Sequence, residues 1–193
     1  KHKQAGTLRL TQGDRDTELV GIVEAISLPR FSNECTIQIE LYCNFPYWRD
    51  AEYMSLTISR ILKTHHFELA IPAPFPLGVY DLNMTQVYTN DGDVATGCEI
   101  TIIALGEVVN PTLYKADGSY IGITDKLQAN DKVVISTEKG RKFINKNGES
   151  IISKIRAGSK FLQIETGDNS FTIDAESGER NLYFTISFKR CYV

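Results

Sequence analysis

Histidine is scarce in this chain, three among 193 residues, and none has a metal-ligand spacing. His65 and His66 are neighbours, so on a strand they point to opposite faces and cannot share a metal. His2 lies at the terminus. There is no G-x-S-x-G, no phosphate loop and no G-x-G-x-x-G. Ser136-Thr137-Glu138-Lys139 has the letters S-x-x-K but neither of the companion elements that make that motif work. Asp91-Gly92-Asp93 lacks the later calcium ligands and reads as a glycine-centred turn. Carboxylates are plentiful without forming a recognisable acid–base pair. The expectation is a protein that is not an enzyme, with no metal and no cofactor.

Other absences narrow the class further. The four cysteines, Cys35, Cys43, Cys98 and Cys191, show no C-x-x-C. Cys35 and Cys43, eight residues apart on a strand, would stand about 26 Å apart, too far for a disulfide. They read as buried thiols. The longest uncharged run, Leu69 to Tyr80, is broken by Pro72, Pro74 and Pro76 and is too short to span a bilayer, so no membrane partner is expected. A pI of about 5.7 lacks the basic footprint of a nucleic-acid binder. Lys1-His2-Lys3 runs into polar residues rather than an apolar leader, and the first residue is not Met, which predicts a piece of a longer protein. Asn83-Met84-Thr85 is a formal glycosylation sequon.

What is present is β-pattern. Ile37, Ile39 and Leu41, with Cys35 and Cys43, alternate with Thr36, Gln38, Glu40 and Tyr42. Leu182, Phe184, Ile186 and Phe188 alternate with Tyr183, Thr185, Ser187 and Lys189. Each run predicts a strand with one face covered. Asn147-Gly148 is a type I′ hairpin signal, and Asp117-Gly118, Lys139-Gly140, Gly167-Asp168-Asn169 and Ser177-Gly178 mark further reversals. From about residue 98 the strands recur at the spacing of a sandwich. One stretch differs: Arg49 to His66 carries Tyr53, Leu56, Ile61 and Leu62 at partly helical spacing, which predicts a short helix. The proline-rich run that follows predicts an extended junction.

Two groups of residues are candidates for contact with other proteins. Tyr42, Phe45, Tyr47, Trp48 and Tyr53 crowd around Pro46, either as a small core at a domain junction or as exposed anchors of the kind that dominate hot spots. Charge is uneven, and from Lys139 to Lys160 the cations Lys139, Arg141, Lys142, Lys146, Lys154, Arg156 and Lys160 are opposed in sequence by Glu149 alone. That block is either a charged sheet edge that blocks unwanted pairing or a contact for an acidic partner.

The order of several segments resembles the distal tail protein family of long-tailed, non-contractile bacteriophages and their prophages. Ile37 to Trp48 resembles the closing strand of that family's N-terminal ring-forming domain, which ends in a Cys-x-x-Pro-Tyr-type segment. Asn90-Asp91-Gly92-Asp93-Val94, then Ile100-Thr101-Ile102, then Val109-Asn110-Pro111-Thr112-Leu113 are similar to the opening of its second domain. Leu127 to Ser136 resembles its L-x-x-G-D strand, with Asn130 where Gly is common; Asn also tolerates positive φ. Phe184 to Tyr192 matches its aromatic end. The family's N-terminal domain is longer than residues 1–50, so the first part of it is expected to be missing.

The resemblance implies a mainly β fold. Residues 1–50 would be the end of a β-rich ring (belt) domain, 51–76 a junction, and 77–193 a galectin-like antiparallel β-sandwich. It implies a structural role at the virion tail tip, after assembly in the bacterial cytoplasm. There a hexameric homo-oligomer would join the tail tube protein to the tail-tip hub or fibre protein and support receptor-binding proteins. Contact residues would come from Tyr42, Phe45, Tyr47 and Trp48 and from Lys139, Arg141, Lys142, Lys154 and Arg156. The alternative is a carbohydrate-binding module contacting host glycans. It would require an exposed aromatic platform with polar neighbours, and Tyr114, Tyr120 and Tyr183 are not clustered in sequence.

Overall fold

The computed structural model describes residues 4–13, 15–27, 37–59, 61–62, 79–80 and 85–193. Short strands follow one another, as the period-two runs require. The first are β1 (Ala5–Gln12), β2 (Arg15–Ser27), β3 (Gln38–Tyr42), β4 (Trp48–Asp50), β5 (Met54–Ser59), β6 (Ile61–Leu62) and β7 (Val79–Tyr80). Next come β8 (Thr85–Asn90), β9 (Thr96–Ala104), β10 (Val108–Val109), β11 (Thr112–Lys115), β12 (Tyr120–Gly122), β13 (Lys126–Leu127) and β14 (Lys132–Ser136). The last are β15 (Phe143–Lys146), β16 (Glu149–Ser150), β17 (Gln163–Ile164), β18 (Gly167–Asp174), β19 (Leu182–Phe188) and β20 (Cys191–Tyr192). Two single turns of 3-10 helix, Ile152–Lys154 and Glu179–Asn181, are the only helix among the described residues.

Two antiparallel sheets share one core. The larger runs β16-β15-β14-β9-β19-β5, with β17 also on β9, and the smaller runs β12-β11-β18-β8. The alternation expected for residues 182–188 holds: Leu182, Phe184, Ile186 and Phe188 are buried and the residues between them are half-buried. Cys98, Ile100, Ile102 and Ala104 of β9 do the same, and Leu113, Phe171 and Ile173 of the smaller sheet join them in one cluster. The Phe188 ring meets Tyr88 edge-on at 4.9 Å. Cys98 and Cys191 are buried free thiols, as read, and burial pushes Cys98 up to about 11; Cys43 is half-buried.

Where the described residues cover the helix expected from Arg49 to His66, they form strands instead. Met54–Ser59 pairs along its length with β19, Leu56 opposite Ile186 and Ile58 opposite Phe184, and Ile58 is buried. Met54, Leu56 and Ile58 stand two apart, and a free edge on β19 decides between that period and the helical one. Part of the stretch read as a junction is thus an edge strand of the sandwich. His2, His65, His66, Cys35, Pro72, Pro74, Pro76 and most of the sequon lie outside the described residues.

A third sheet runs β1-β2-β4-β20, and β3 pairs the far half of β2. On the edge away from β1, the long β2 serves two partners. Thr17 and Glu18 face Asp50 and Arg49, whereas Ile22–Ser27 face Tyr42–Gln38 across a bulge between Val23 and Ala25. The other edge of this sheet's β4 is taken by the chain's own C-terminal strand, Cys191 opposite Arg49 and Tyr192 opposite Trp48.

The turn chemistry is as expected at the Asn147-Gly148 hairpin, where both residues have positive φ, 51° and 92°. Asn130 adopts φ of 70°, so the departure from Gly is accommodated. Beside it the Asp131 carboxylate receives the Gln128 N–H at 2.8 Å, the Lys146 ammonium at 2.9 Å and the Asn147 amide at 2.8 Å. The Asn147 side-chain oxygen in turn accepts the Lys132 N–H at 2.9 Å. One carboxylate therefore fastens the start of β14 to the tip of the β15–β16 hairpin. These donors, the Gln128 backbone bond first, hold Asp131 down to about 2. Its folded value lies below the usual carboxylate value of about 4, so its contribution is complete above about pH 4 and fades as pH falls towards 2. Asp131→Asn is expected to lower stability at pH 7 by about 2 kcal/mol. It should also flatten the acid limb of stability between pH 4 and pH 2, both read by urea unfolding at a series of pH values.

Candidate functional site

The sequence features that imitate catalytic motifs are absorbed by the fold. Thr137 is fully buried, and its hydroxyl accepts the Cys98 N–H at 2.8 Å and lies 3.1 Å from the Cys98 carbonyl; Ser136 is buried at the end of β14. Asp91-Gly92-Asp93 forms a turn against the C-terminal strand: the Asp93 N–H donates to the Cys191 carbonyl at 2.8 Å, and a β-carbon on Gly92 would stand 2.8 Å from that same oxygen. Among the described residues no group of three or more His, Cys, Asp or Glu side chains could hold a metal ion.

A polar cluster joins the third sheet to the sandwich. Asp50, buried on β4, accepts the Arg190 Nε–H at 2.7 Å through one oxygen and the Tyr192 hydroxyl at 3.1 Å through the other. Lys189 donates to Glu18 at 2.7 Å and to the Ala51 carbonyl at 2.8 Å. The Arg15 guanidinium covers the Tyr192 ring at 4.5 Å. The Asp50 hydrogen bond holds Arg190 above its usual range, while burial raises the Tyr192 phenol, with the Asp50 bond adding to it. Sequence reasoning missed this cluster because its members lie about 140 residues apart; an acidic residue after Trp48 and a basic pair before Cys191 carry no local signal of each other.

The expected contact residues are partly gathered and partly scattered. Phe45 and Tyr47 meet edge-on at 5.0 Å, and Arg49 lies 5.8 Å over Phe45. Together with Glu138, Lys139 and Lys189 they line a cleft of about 240 Å³ where the third sheet meets the larger one. One residue of the basic block thus joins two of the aromatics. Trp48 takes the opposite face of β4, as alternation requires, and lines a separate cleft of about 230 Å³ with Leu10, Arg15 and Tyr192. Tyr42 is exposed, and Tyr53 lies under the Lys189 ammonium at 4.8 Å.

The basic block does not form one cationic face. Asp125 receives Lys154 at 2.8 Å and Lys146 at 3.3 Å, and Lys146 also reaches Asp131. Arg141 lies over Phe143, Lys142 over Phe161 and Arg156 over Tyr120, each within 5.1–5.7 Å of the ring centre. The opposition that the sequence placed in Glu149 alone comes from Asp125 and Asp131, brought in by the strands on either side.

A surface that sequence reasoning expected to be covered is open. Residues opposite each other in an antiparallel pair share a face. Leu8 and Leu10 therefore lie with Val23 and Leu41 on one side of β1–β2–β3, and the bulge in β2 brings Ile26, opposite Ile39, to that same side. Ile39 is 53% exposed, Ile26 61% and Leu8 46%. The alternation predicted for residues 37–43 is real, but among the described residues nothing covers its apolar face.

A two-sheet sandwich and a third sheet closed by Cys191–Tyr192 define a β-protein built of antiparallel sheets. The chain belongs to the siphovirus-type tail component family: the family's C-terminal domain matches residues 91–192, more than half of the sequence. Among solved structures it is similar to the Dit protein of phage SPP1, described as a paradigm of the hub adsorption apparatus in Gram-positive infecting phages. That match has a TM-score of 0.65 and 10% identity and covers 92% of this chain. The chain spans 61% of the SPP1 protein's length. It is also similar to a chain of the phage P2 baseplate in its activated conformation with Ca, with a TM-score of 0.50 and 10% identity, covering 97% of this chain and 69% of that one. No curated protein matches it. The resemblance read from the sequence and its mainly β fold are thereby established.

Asp50→Ala should leave Arg190 and Tyr192 without their acceptor and cost about 3 kcal/mol in urea unfolding. Lys139→Ala, on the nearby cleft wall, should change stability by less than about 0.5 kcal/mol.

Proposed function

We propose that this chain is a subunit of a hexameric ring at the tail tip of a long-tailed phage, assembled in the host cytoplasm, and that its role there is structural rather than catalytic. The ring would join the tail tube protein to the tail-tip hub or fibre protein and support receptor-binding proteins. The observation that supports the reading is the apolar side of β1–β3, which no described residue covers. Monomeric proteins rarely keep so continuous an apolar sheet face in water. A second copy of the chain is the occupant, because a repeated head-to-tail contact closes by rotation into a ring. The third sheet, residues 4–50 with Cys191–Tyr192, would be the ring-forming unit, and Met54–Ser59 with residues 85–190 the projecting sandwich. The Phe45–Tyr47–Lys139 cleft would be a seat for a tail-tip partner, its aromatic pair the anchor and its cations the complement to an acidic segment.

Light-scattering mass with negative-stain imaging of the full-length protein is expected to show sixfold rings. Leu8→Asp combined with Ile39→Asp changes two exposed positions, so the melting temperature should hold within a few degrees while the ring mass falls to that of a monomer. A wild-type protein that is monomeric at every concentration tried would overturn the reading.

A further inference from the structure

The outer face of the smaller sheet carries a second kind of site. The register of β12-β11-β18-β8 sets Tyr120, Tyr114, Thr172 and Thr85 in one row, and Thr112 beside Asp174 in the next. The alternate residues of these strands, Leu113, Ile121, Phe171 and Ile173, fill the core, so the row faces outward. The two tyrosine rings, separated in sequence, stand 5.6 Å apart at 43°. Arg156 lays its guanidinium over Tyr120 at 5.6 Å and donates to the Thr112 hydroxyl at 3.1 Å. Asn110 and Glu176, joined at 2.5 Å, complete a cleft of about 300 Å³ with Thr112, Tyr114, Arg156 and Asp174.

The walls are held in place before any ligand arrives. The Tyr120 hydroxyl donates to the Ala157 carbonyl at 2.7 Å, fixing the ring and leaving its phenol engaged. The segment carrying Arg156 is fastened to β12 by the bonds Arg156 N–H to Gly122 carbonyl, 2.9 Å, and Lys160 N–H to Tyr120 carbonyl, 2.8 Å. A β-carbon on Gly122 would stand 2.6 Å from the Thr112 hydroxyl, so glycine there leaves room for the threonine that Arg156 grips. Arg156 makes no ion pair among the described residues and lines the cleft.

We infer that this cleft binds a neutral saccharide. Its volume is at the small end of ligand clefts, which begin near ~300 Å³. Arg156 and the Asn110 amide donate, the Asp174 and Glu176 carboxylates accept, and each sugar hydroxyl does both. Tyr114 offers a flat apolar wall for the C–H face of a pyranose ring. A phosphate-bearing polymer would meet Asp174 and Glu176, a cationic ligand would meet Arg156, and an apolar one would offer nothing to the donors and acceptors these groups still have to spare. The site is independent of ring formation and belongs to the sandwich alone.

The test labels tyrosine rings with carbon-13 in the full-length protein and follows their NMR signals on adding glucose, galactose, N-acetylglucosamine, N-acetylgalactosamine or rhamnose. Titration to about 50 mM covers the millimolar affinity of a single small-ligand site. At least one sugar should shift Tyr114 and Tyr120 saturably. Asp174→Asn, at an exposed position, and Arg156→Lys, which keeps the charge but not the planar fork, should each weaken binding about tenfold. The proposal falls if no sugar in the panel shifts those rings, if the shifts map to other tyrosines, if both variants bind as well as wild type, or if a glycerol-phosphate polymer binds the cleft more tightly than every neutral sugar.

Discussion

The arrangement of this protein depends on one buried carboxylate. Asp50 sits on a three-residue strand that has little apolar surface of its own to hold it, and it is fixed from the far end of the sequence by Arg190 and Tyr192. A buried carboxylate without partners would cost several kcal/mol, so its two donors must arrive together, and they do so only if the final strand lies beside β4. That strand follows β19, which lies next to the β5 edge of the larger sheet, after only Lys189 and Arg190. The stretch from Phe188 to Tyr192 therefore ends the sandwich core and closes the third sheet. Arg190 is also within 3.9 Å of Asp91, and the Asp93 turn grips Cys191 from the other side, so the tail is clasped between both halves.

This clasp explains why the surfaces lie where they do. With β20 filling one edge of the third sheet, the apolar side of β1–β3 is left without a covering layer among the described residues. The clasp also sets Phe45 and Tyr47 beside Lys139, which belongs to the turn after β14 in the larger sheet. Neither juxtaposition follows from β4 or β14 alone. Both follow from the distance at which Asp50 holds the two halves together.

What the sequence disclosed was local and periodic. The strand of residues 182–188 was legible because a two-residue period records which side faces the core, and the hairpin at Asn147-Gly148 because positive φ at two successive positions is a demand few residues meet. The segment from Met54 to Ser59 was misread because leucine and isoleucine at mixed spacing satisfy either period, and only the free edge of β19 decides. The basic block looked unopposed for a related reason: Asp125 and Asp131 are distant in sequence from most of the cations they neutralise. The open face of β3 marks a subtler limit. Alternation tells that a face is apolar, but the same pattern serves a face covered by its own chain and one that waits for another. The tyrosine pair was invisible in the same way, since strand pairing alone brings Tyr114 beside Tyr120.

The two open surfaces differ in the free energy they can use, and that difference separates the roles proposed for them. The side of β1–β3 offers aliphatic residues and almost no directional groups, so its burial is driven by area, at about 25 cal/mol per Å², and is effective only against a large complementary face. In the proposed ring a second copy of the chain would provide such a face, and contact of this kind is long-lived. The cleft under Arg156 offers little area but places donors, acceptors and an aromatic wall within one small volume. Its polar groups are matched only by a ligand with hydroxyls on several sides, and exchange with water keeps the net gain per hydrogen bond near 1 kcal/mol. A single such site binds weakly and lets go. If the ring reading holds, each copy brings its own cleft, and weak sites repeated on one rigid ring would act together through effective concentration, without any site needing to bind tightly.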